Sequence, residues 1–314
     1  MKQKIRKLLF ELTRNSRIST KNLSKILKAS QQSCSYLIKS LRKRKILQQY
    51  SCIVDAVKLG FTNIIVSFNY LDFDSKVVKD ILEHLKNDSL VTVVYECKQG
   101  VDLIVEFSAL NLSAFNKNLS EIIDRFNKVL RVVSVSPVIV KHRFLRNYLV
   151  RKKDDKDIIL CGDRDLVLLS DNEKAVLNGL IKEPSASLTM ISKNTGISVK
   201  SVVSVKKGLE QKKVIKGYSC VFNAEKLGIY KYFLFLSFSN LGTKEMSRLV
   251  EFARQNKNII SLTKLIGEFQ ILLVVEELSK TGLIKEIRAD FSVDKYLFVE
   301  HKSTLKKLYC PFVE

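Results

Sequence analysis

Apolar residues recur with a helical period through the first fifty positions. Ile5, Leu8, Leu9 and Leu12 share one face of a predicted helix over 3–14. A second predicted helix, 19–27, opens on Ser19 and carries Leu23, Ile26 and Leu27. A third, 31–44, follows Ser30 and turns Cys34, Leu37, Ile38 and Leu41 inward. Two short helices joined by a tight turn, the second entered through a serine, predict a helix-turn-helix, and the strand-like stretch 46–54 supplies a wing. The period then alternates. Strands are predicted at 63–71, 90–97, 103–107 and 132–140, with amphipathic helices at 76–86 and 112–126.

The whole pattern occurs twice. A shift of 168 positions lays Gln49–Phe61 (QYSCIVDAVKLGF) on Gly217–Ile229 (GYSCVFNAEKLGI). Residues 3–60 match 171–228 without a gap at 17 of 58 positions, among them Leu9/Leu177, Ser30/Ser198, Leu41/Leu209 and Gly60/Gly228. Downstream the copies agree in pattern, with strands predicted at 232–240, 259–265, 271–275 and 296–300 and helices at 244–255 and 280–291. The expected fold class is α+β: two winged helix-turn-helix domains, each followed by a ferredoxin-like β-α-β-β-α-β domain. The expected boundaries are 1–60 and 61–150 for the first unit and 169–228 and 229–314 for the second. Between them, 151–168 holds RKKDDKDIILCGDRD, five basic and five acidic residues that break both periods, and is expected to be a linker.

Charge sharpens the picture. The chain of 314 residues carries 54 Lys+Arg against 32 Asp+Glu, a net +22 that points to a polyanionic partner. Residues 1–50 hold 14 Lys+Arg and one acid, Glu11; residues 171–218 hold nine Lys and four acids. The surplus therefore sits on the predicted helix-turn-helix units, and mostly on the first. Solvated lysine-rich helices explain the second surplus but not the first. Other counts exclude classes. The six cysteines form no C-x-x-C pair, so neither a zinc site nor a disulfide framework is expected. No metal or cofactor is expected. No apolar run reaches the roughly 20 residues of a membrane span and no secretory signal opens the chain, so a cytoplasmic protein with no membrane partner is expected. No Gly-rich phosphate loop, H-E-x-x-H or G-x-S-x-G occurs, and no catalytic residue is assigned.

Two segments carry a family resemblance. RISTKNLSKILKASQQSCSYLIKSLRKRKILQQYSCIVDAVKLGF and ASLTMISKNTGISVKSVVSVKKGLEQKKVIKGYSCVFNAEKLGI resemble the winged helices of the Lrp/AsnC (feast/famine) transcriptional regulators. The resemblance spans nearly the whole chain, twice, whereas most members carry one unit per chain. It implies a sequence-specific regulator of double-stranded DNA. The two sheets of one chain would pack as an intramolecular pseudo-dimer that can extend to a higher homo-oligomer.

On the first recognition helix the outward residues are Gln31, Gln32, Ser33, Ser35, Tyr36, Lys39, Ser40 and Arg42, types that read base edges or reach phosphate. Ser30 and the helix N-terminus suit a phosphate. Arg42, Lys43, Arg44 and Lys45 lead into the wing and suit backbone contacts. The second helix offers Ser198, Lys200, Ser201, Ser204, Lys206 and Lys207, but puts Val199 and Val203 where the first has Gln31 and Ser35. It also contains Gly208, which costs about 1 kcal/mol relative to Ala. The first unit is thus expected to read sequence and the second to contact DNA weakly or serve as structure.

The family places small effectors, often amino acids, near the turn between the second and third strands. Here that implies Gly100 and Asp102 in the first copy and Gly267 and Glu268 in the second. Asp102 is matched by Phe269 or, with a one-residue shift, by Gln270, so two chemically different pockets are expected. A tight turn without a ligand explains the glycines equally well.

Two other readings stand beside the regulator. Siroheme decarboxylases share the two-domain plan, sometimes in tandem, and His142 and His301 occupy similar strand-end motifs, VKHR and VEHK. The His- and Arg-rich signature expected of that enzyme is missing, and a vestigial helix-turn-helix gives no reason for thirteen surplus charges. The remaining reading is a partner of other regulators that does not bind DNA.

Overall fold

A computed structural model describes residues 3–150, 156–279 and 282–313. The first winged helix consists of α1 (Gln3–Arg14), α2 (Thr20–Leu27), α3 (Gln31–Lys43) and strand β1 (Leu47–Val54). The sheet unit follows as β2 (Thr62–Tyr70), α4 (Ser75–Asn87), β3 (Val91–Gln99), β4 (Leu103–Ala109), α5 (Leu112–Phe126) and β5 (Leu130–Phe144). After β6 (Asp157–Cys161) the plan repeats. The second winged helix is α6 (Asp171–Lys182), α7 (Leu188–Thr195), α8 (Val199–Gln211) and β7 (Ile215–Phe222). Its sheet unit is β8 (Tyr230–Ser237), α9 (Thr243–Gln255), β9 (Ile259–Leu265), β10 (Ile271–Glu277), α10 (Leu283–Asp290) and β11 (Lys295–Lys307).

Each sheet has the four-strand order of a β-α-β-β-α-β unit: β5-β2-β4-β3 and β11-β8-β10-β9. The two sheets face each other and then join. Residues 130–137 of β5 pair with β2, and the rest of the strand moves onto β9, Val138 opposite Leu265 and Arg143 opposite Ser261. Strand β11 does the same in reverse, pairing first with β8 and from Glu300 onward with β3. Eight strands therefore close into a ring with no free edge inside it. Ile65, Val93 and Ile104 face Phe233, Phe235 and Leu272 across the interior. The outer faces are covered by α4 and α5 on one side, with Ile81, Leu85 and Ile122 inward, and by α9 and α10 on the other, with Leu249 and Ile287 inward.

The wings also cross between halves. Strand β1 pairs antiparallel with β7, Tyr50 opposite Cys220 and Cys52 opposite Tyr218. Cys220 and Phe222 of β7 pack into the core of the first winged helix, beside Leu8, Leu12 and Leu41. Cys52 and Val54 of β1 pack into the second, beside Leu177, Val202 and Leu209. Each three-helix unit thus has its floor laid by the other unit's strand. The strand expected as the wing at 46–54 is present as β1, and it forms an inter-unit sheet with β7.

Three further differences have physical causes. Strands β5 and β11 run past the expected ends at 140 and 300, because Lys141, Arg143, Lys306 and Lys307 continue the strands with polar side chains that hydropathy does not register. The expected linker contains β6, which lies against β5 with Val140 opposite Cys161; residues 151–155 of that segment lie outside the described residues. Asp55 anchors β6: fully buried, it accepts from Cys161 N at 3.0 Å and faces Arg164 and Lys216 at 3.4 and 3.6 Å. The expected helix over 280–291 is described from Leu283, residues 280 and 281 lying outside the described set.

Gly100 and Gly60 separate two kinds of constraint. Both have positive φ, +93° and +87°. A Cβ at Gly60 meets nothing within 4 Å, whereas one at Gly100 runs into the Phe298 carbonyl and the Val299 side chain of β11. Gly60→Ala should therefore cost only the conformational term, about 1–2 kcal/mol. Gly100→Ala should cost roughly 1–3 kcal/mol more, because the closing strand must move. Midpoints of urea denaturation decide it, and equal midpoints would refute the close approach.

Candidate nucleic-acid interface

The first helix-turn-helix is built by its caps. Ser19 accepts from Asn22 N at 3.2 Å and opens α2, and Lys28 closes it in the left-handed region with φ 49°. Ser30 accepts from Ser33 N at 3.1 Å and opens α3. Its hydroxyl also bonds the Ser33 side chain at 2.9 Å, so Ser30 acts first as a cap. Cys34 and Leu41 seat α3 on the core.

The opposite face of α3 is exposed and cationic. Gln31, Gln32, Ser33, Tyr36 and Lys39 are exposed, and Ser35 and Ser40 are half-buried. Tyr36 is 75% exposed, an aromatic ring left in water on a face otherwise made for polar contact. Arg42, Lys43, Arg44 and Lys45 are exposed at the end of α3 and the turn into β1. The Arg42 guanidinium lies 4.6 Å from the centre of the Tyr50 ring, which holds it against the strand. Burial raises the Tyr50 hydroxyl pKa while Arg42 opposes it, so the ring stays neutral beneath the cation. Lys39, Arg42 and Lys43 have no carboxylate partner among the described residues.

The second helix-turn-helix has the same scaffold and a different face. Ser187 and Ser198 cap α7 and α8, and Gly196 makes the turn at φ 72°. Lys200, Ser201, Ser204 and Lys207 are exposed. Lys206, however, is paired with Glu210 at 2.6 Å, and Lys212 with Glu173 at 2.7 Å. Val199 and Val203 are 42% and 47% exposed. This helix face offers two lysines unpaired among the described residues and two valines, where the first offers glutamines and arginine.

The residues expected around an effector are engaged in the strand turns. The Asp102 carboxylate accepts from Tyr70 N at 2.8 Å, tying β4 to the end of β2. Gln270 does the same in the second half, its Oε1 accepting from Phe238 N at 2.8 Å. Asp102 is thus matched by Gln270, and the two make the same contact to a strand-end backbone amide. Gly100 lies under β11 and Gly267 beside Val135 and Ser136 of β5, so each turn is covered by the closing strand of the other half. Glu268 is paired with Lys295.

The two histidines of the matched motifs stand in different surroundings. His142 Nδ1 is 3.2 Å from Asp157 of β6, on the outer side of the ring, and stacks on Phe144. His301 bonds Thr304 Oγ1 at 2.9 Å and meets the Tyr95 and Phe233 rings. All six cysteines are buried and unpaired with one another.

The first 48 residues match a model of the winged helix-turn-helix DNA-binding family. Two uncharacterized HTH-type transcriptional regulators of Pyrococcus furiosus are similar to this chain. One is 25% identical over 128 residues, 40% of this chain and 84% of the relative; the other is 27% identical over 129 residues, 39% and 82%. Each relative is about half as long as this chain, the length of one unit. The crystal structure of the siroheme decarboxylase NirDL shares the fold across both units, with TM-score 0.60 and 11% identity over 100% of this chain and 95% of that one. The chain opens on a winged helix-turn-helix, and the plan of winged helix followed by a β-α-β-β-α-β sheet unit occurs twice along it. Among the described residues no helix is long and apolar enough to cross a membrane.

His301 gives this region a pH signature. Burial, reinforced by Lys231, Lys98 and Lys307, pushes its pKa down to about 2 from an ordinary 6.5. Below pH 6.5 the unfolded chain takes up a proton that the folded site refuses, so this stability is complete above 6.5 and is lost as pH falls. His301→Gln should therefore lose up to about 2 kcal/mol less than the parent between pH 7 and pH 5. Thermal midpoints at the two pH values test it; equal losses would sink the assignment.

Proposed function

We propose that this chain is a sequence-specific, double-stranded-DNA-binding transcriptional regulator acting as an intramolecular pseudo-dimer. The observation that carries the reading is the first recognition helix. Its exposed face combines base-reading side chains, Gln31 and Gln32, with Lys39, Arg42 and Lys43, none of them neutralised by a carboxylate among the described residues. Sequence reading falls to this face, with Ser33, Ser35 and Tyr36 around it. Arg44 and Lys45 grip the backbone. The second unit contributes through Lys200, Ser201, Ser204 and Lys207 and binds more weakly, because Val199 and Val203 make no hydrogen bond to a base edge or phosphate.

A second reading is favoured by one observation, the shared fold with the siroheme decarboxylase NirDL over the full chain. That reading assigns the interior of the ring to a tetrapyrrole. The interior holds a cavity of about 80 Å³, well below the roughly 300–1,000 Å³ of pockets for drug-sized molecules. His142 faces Asp157 on the outside of the ring rather than this cavity. The small cavity and the outward-facing His142 support the regulator over this reading.

A salt series tests the regulator. Binding to duplex DNA should weaken steeply with salt, each phosphate contact contributing about −0.9 to the slope of log K against log salt. Lys39→Ala with Arg42→Ala should flatten the slope by about two units. Lys200→Ala with Lys207→Ala should flatten it less. Unchanged affinity in the first double variant would defeat the assignment of the interface. Visible absorption on adding an iron tetrapyrrole to purified protein, with saturation at one per chain, would instead favour the enzyme.

A further inference from the structure

The cavity inside the ring lies beneath the paired wing strands. Ser51 of β1 and residues 219–222 of β7 form its roof, and β2–β5 and β8–β11 form its walls. Its volume of about 80 Å³ far exceeds the roughly 10–15 Å³ that one water needs. It therefore has space for one compact ion of a few heavy atoms.

Its lining is unbalanced in charge. Five cations face it, Lys141, Arg143, Arg146, Lys231 and Lys307, against two carboxylates, Glu106 and Glu276. Both carboxylates are already spent. Lys141 holds Glu106 at 2.6 Å, and Arg146 holds Glu276 through two bonds of 2.7 and 3.1 Å. Arg143, Lys231 and Lys307 remain without a carboxylate partner among the described residues. Arg143 donates to Ser219 Oγ at 2.5 Å and to Thr13 O at 3.2 Å. Lys307 bonds the Tyr95 hydroxyl. Among the described residues Lys231 meets Thr304 Oγ1 at 3.5 Å and the rings of Tyr95 and Phe233, 4.6 and 5.8 Å away.

Uncompensated charge in a low-dielectric interior is costly. Lys231 and Tyr309 register it, whereas for Lys307 burial is outweighed by Tyr95, Tyr309 and Glu106, which raise its pKa to about 12. Burial pushes the Lys231 ammonium down to about 7, opposed by Glu276 and reinforced by Lys307 and Arg146. Burial pushes the Tyr309 hydroxyl up, yet Arg143, Lys307, Lys141 and Arg146 together bring it below its ordinary value. A site that gathers cations and leaves them unpaired is organised for a negative charge from outside.

We propose that this cavity is the binding site of a compact dianion, an oxyanion such as phosphate or sulfate or a short dicarboxylate. Arg143, Lys231 and Lys307 supply its counter-charges. Because Arg143 also holds Thr13 at the end of α1 and Ser219 in β7, occupancy bears on the seating of the winged helices. That last consequence rests on the regulator reading; binding itself does not.

Isothermal titration calorimetry on the full chain tests it, with inorganic phosphate, sulfate and malonate each run against sodium chloride of equal ionic strength. Saturable binding at one per chain is expected for at least one probe, and which one binds separates oxyanions from dicarboxylates. Lys231→Met should weaken it at least tenfold, while its thermal midpoint without ligand is unchanged or higher, since a buried unpaired charge has been removed. Lys231→Gln, which keeps a donor toward Thr304, is the second variant and should weaken binding similarly. Lys39→Ala with Arg42→Ala should leave it unchanged. No saturation with any probe, binding indifferent to both Lys231 variants, or binding lost with the surface pair would overturn the proposal. Duplex affinity measured on the same samples keeps the two readings apart. Anion binding without DNA binding leaves the cavity standing and removes the regulator, and DNA binding without anion binding does the reverse.

Discussion

The whole molecule depends on two strands that leave their own sheets. Strands β5 and β11 each begin against β2 or β8 and finish on the opposite half. A four-stranded sheet with one face under helices has a second apolar face and two open edges, both liabilities in water. Exchange of the long strands removes both at once. The second faces meet, and the edges close into a ring. Neither half has another way to bury Ile65, Val93 and Ile104, or Phe233, Phe235 and Leu272.

The winged helices inherit this constraint. With the sheets locked, β1 and β7 are brought together above the ring and complete each other's helical cores. The same geometry leaves a polar chamber where the exchanging strands pass beneath the wings. Lys141 and Arg143 come from the crossing part of β5, and Thr304 and Lys307 from that of β11. The strands that hold the halves together therefore carry part of the buried charge, and more of it comes from Glu106 of β4, Lys231 of β8 and Glu276 of β10.

Much of this was readable from the amino-acid order. The duplication, the helical periods, the capping serines and the two sheet units all rest on local signals, and the structure contains each of them. What escaped was everything that depends on one half meeting the other. The predicted strands stop at 140 and 300 because the residues beyond are polar, and the partner half makes them strands. The VKHR and VEHK motifs did mark these ends, but as a clue to histidine chemistry rather than to the lysines and arginine beside them. Asp102 and Gln270 looked dissimilar, yet both accept from a backbone amide at the end of a strand, a job that carboxylate and amide oxygens do equally well. Asp55 gave no signal, since its partners Cys161, Arg164 and Lys216 lie more than a hundred residues away.

The unequal recognition helices have one more consequence. A pair of identical subunits has a two-fold axis, looks the same from both ends and matches a palindrome. This chain has the scaffold of such a pair but not its symmetry, with Gln31 and Ser35 on one side answered by Val199 and Val203 on the other. On the proposed function, the chain turned end for end on a duplex would present a different surface to each half-site. Divergence of the two copies would then give it a head and a tail, and with them a direction along DNA.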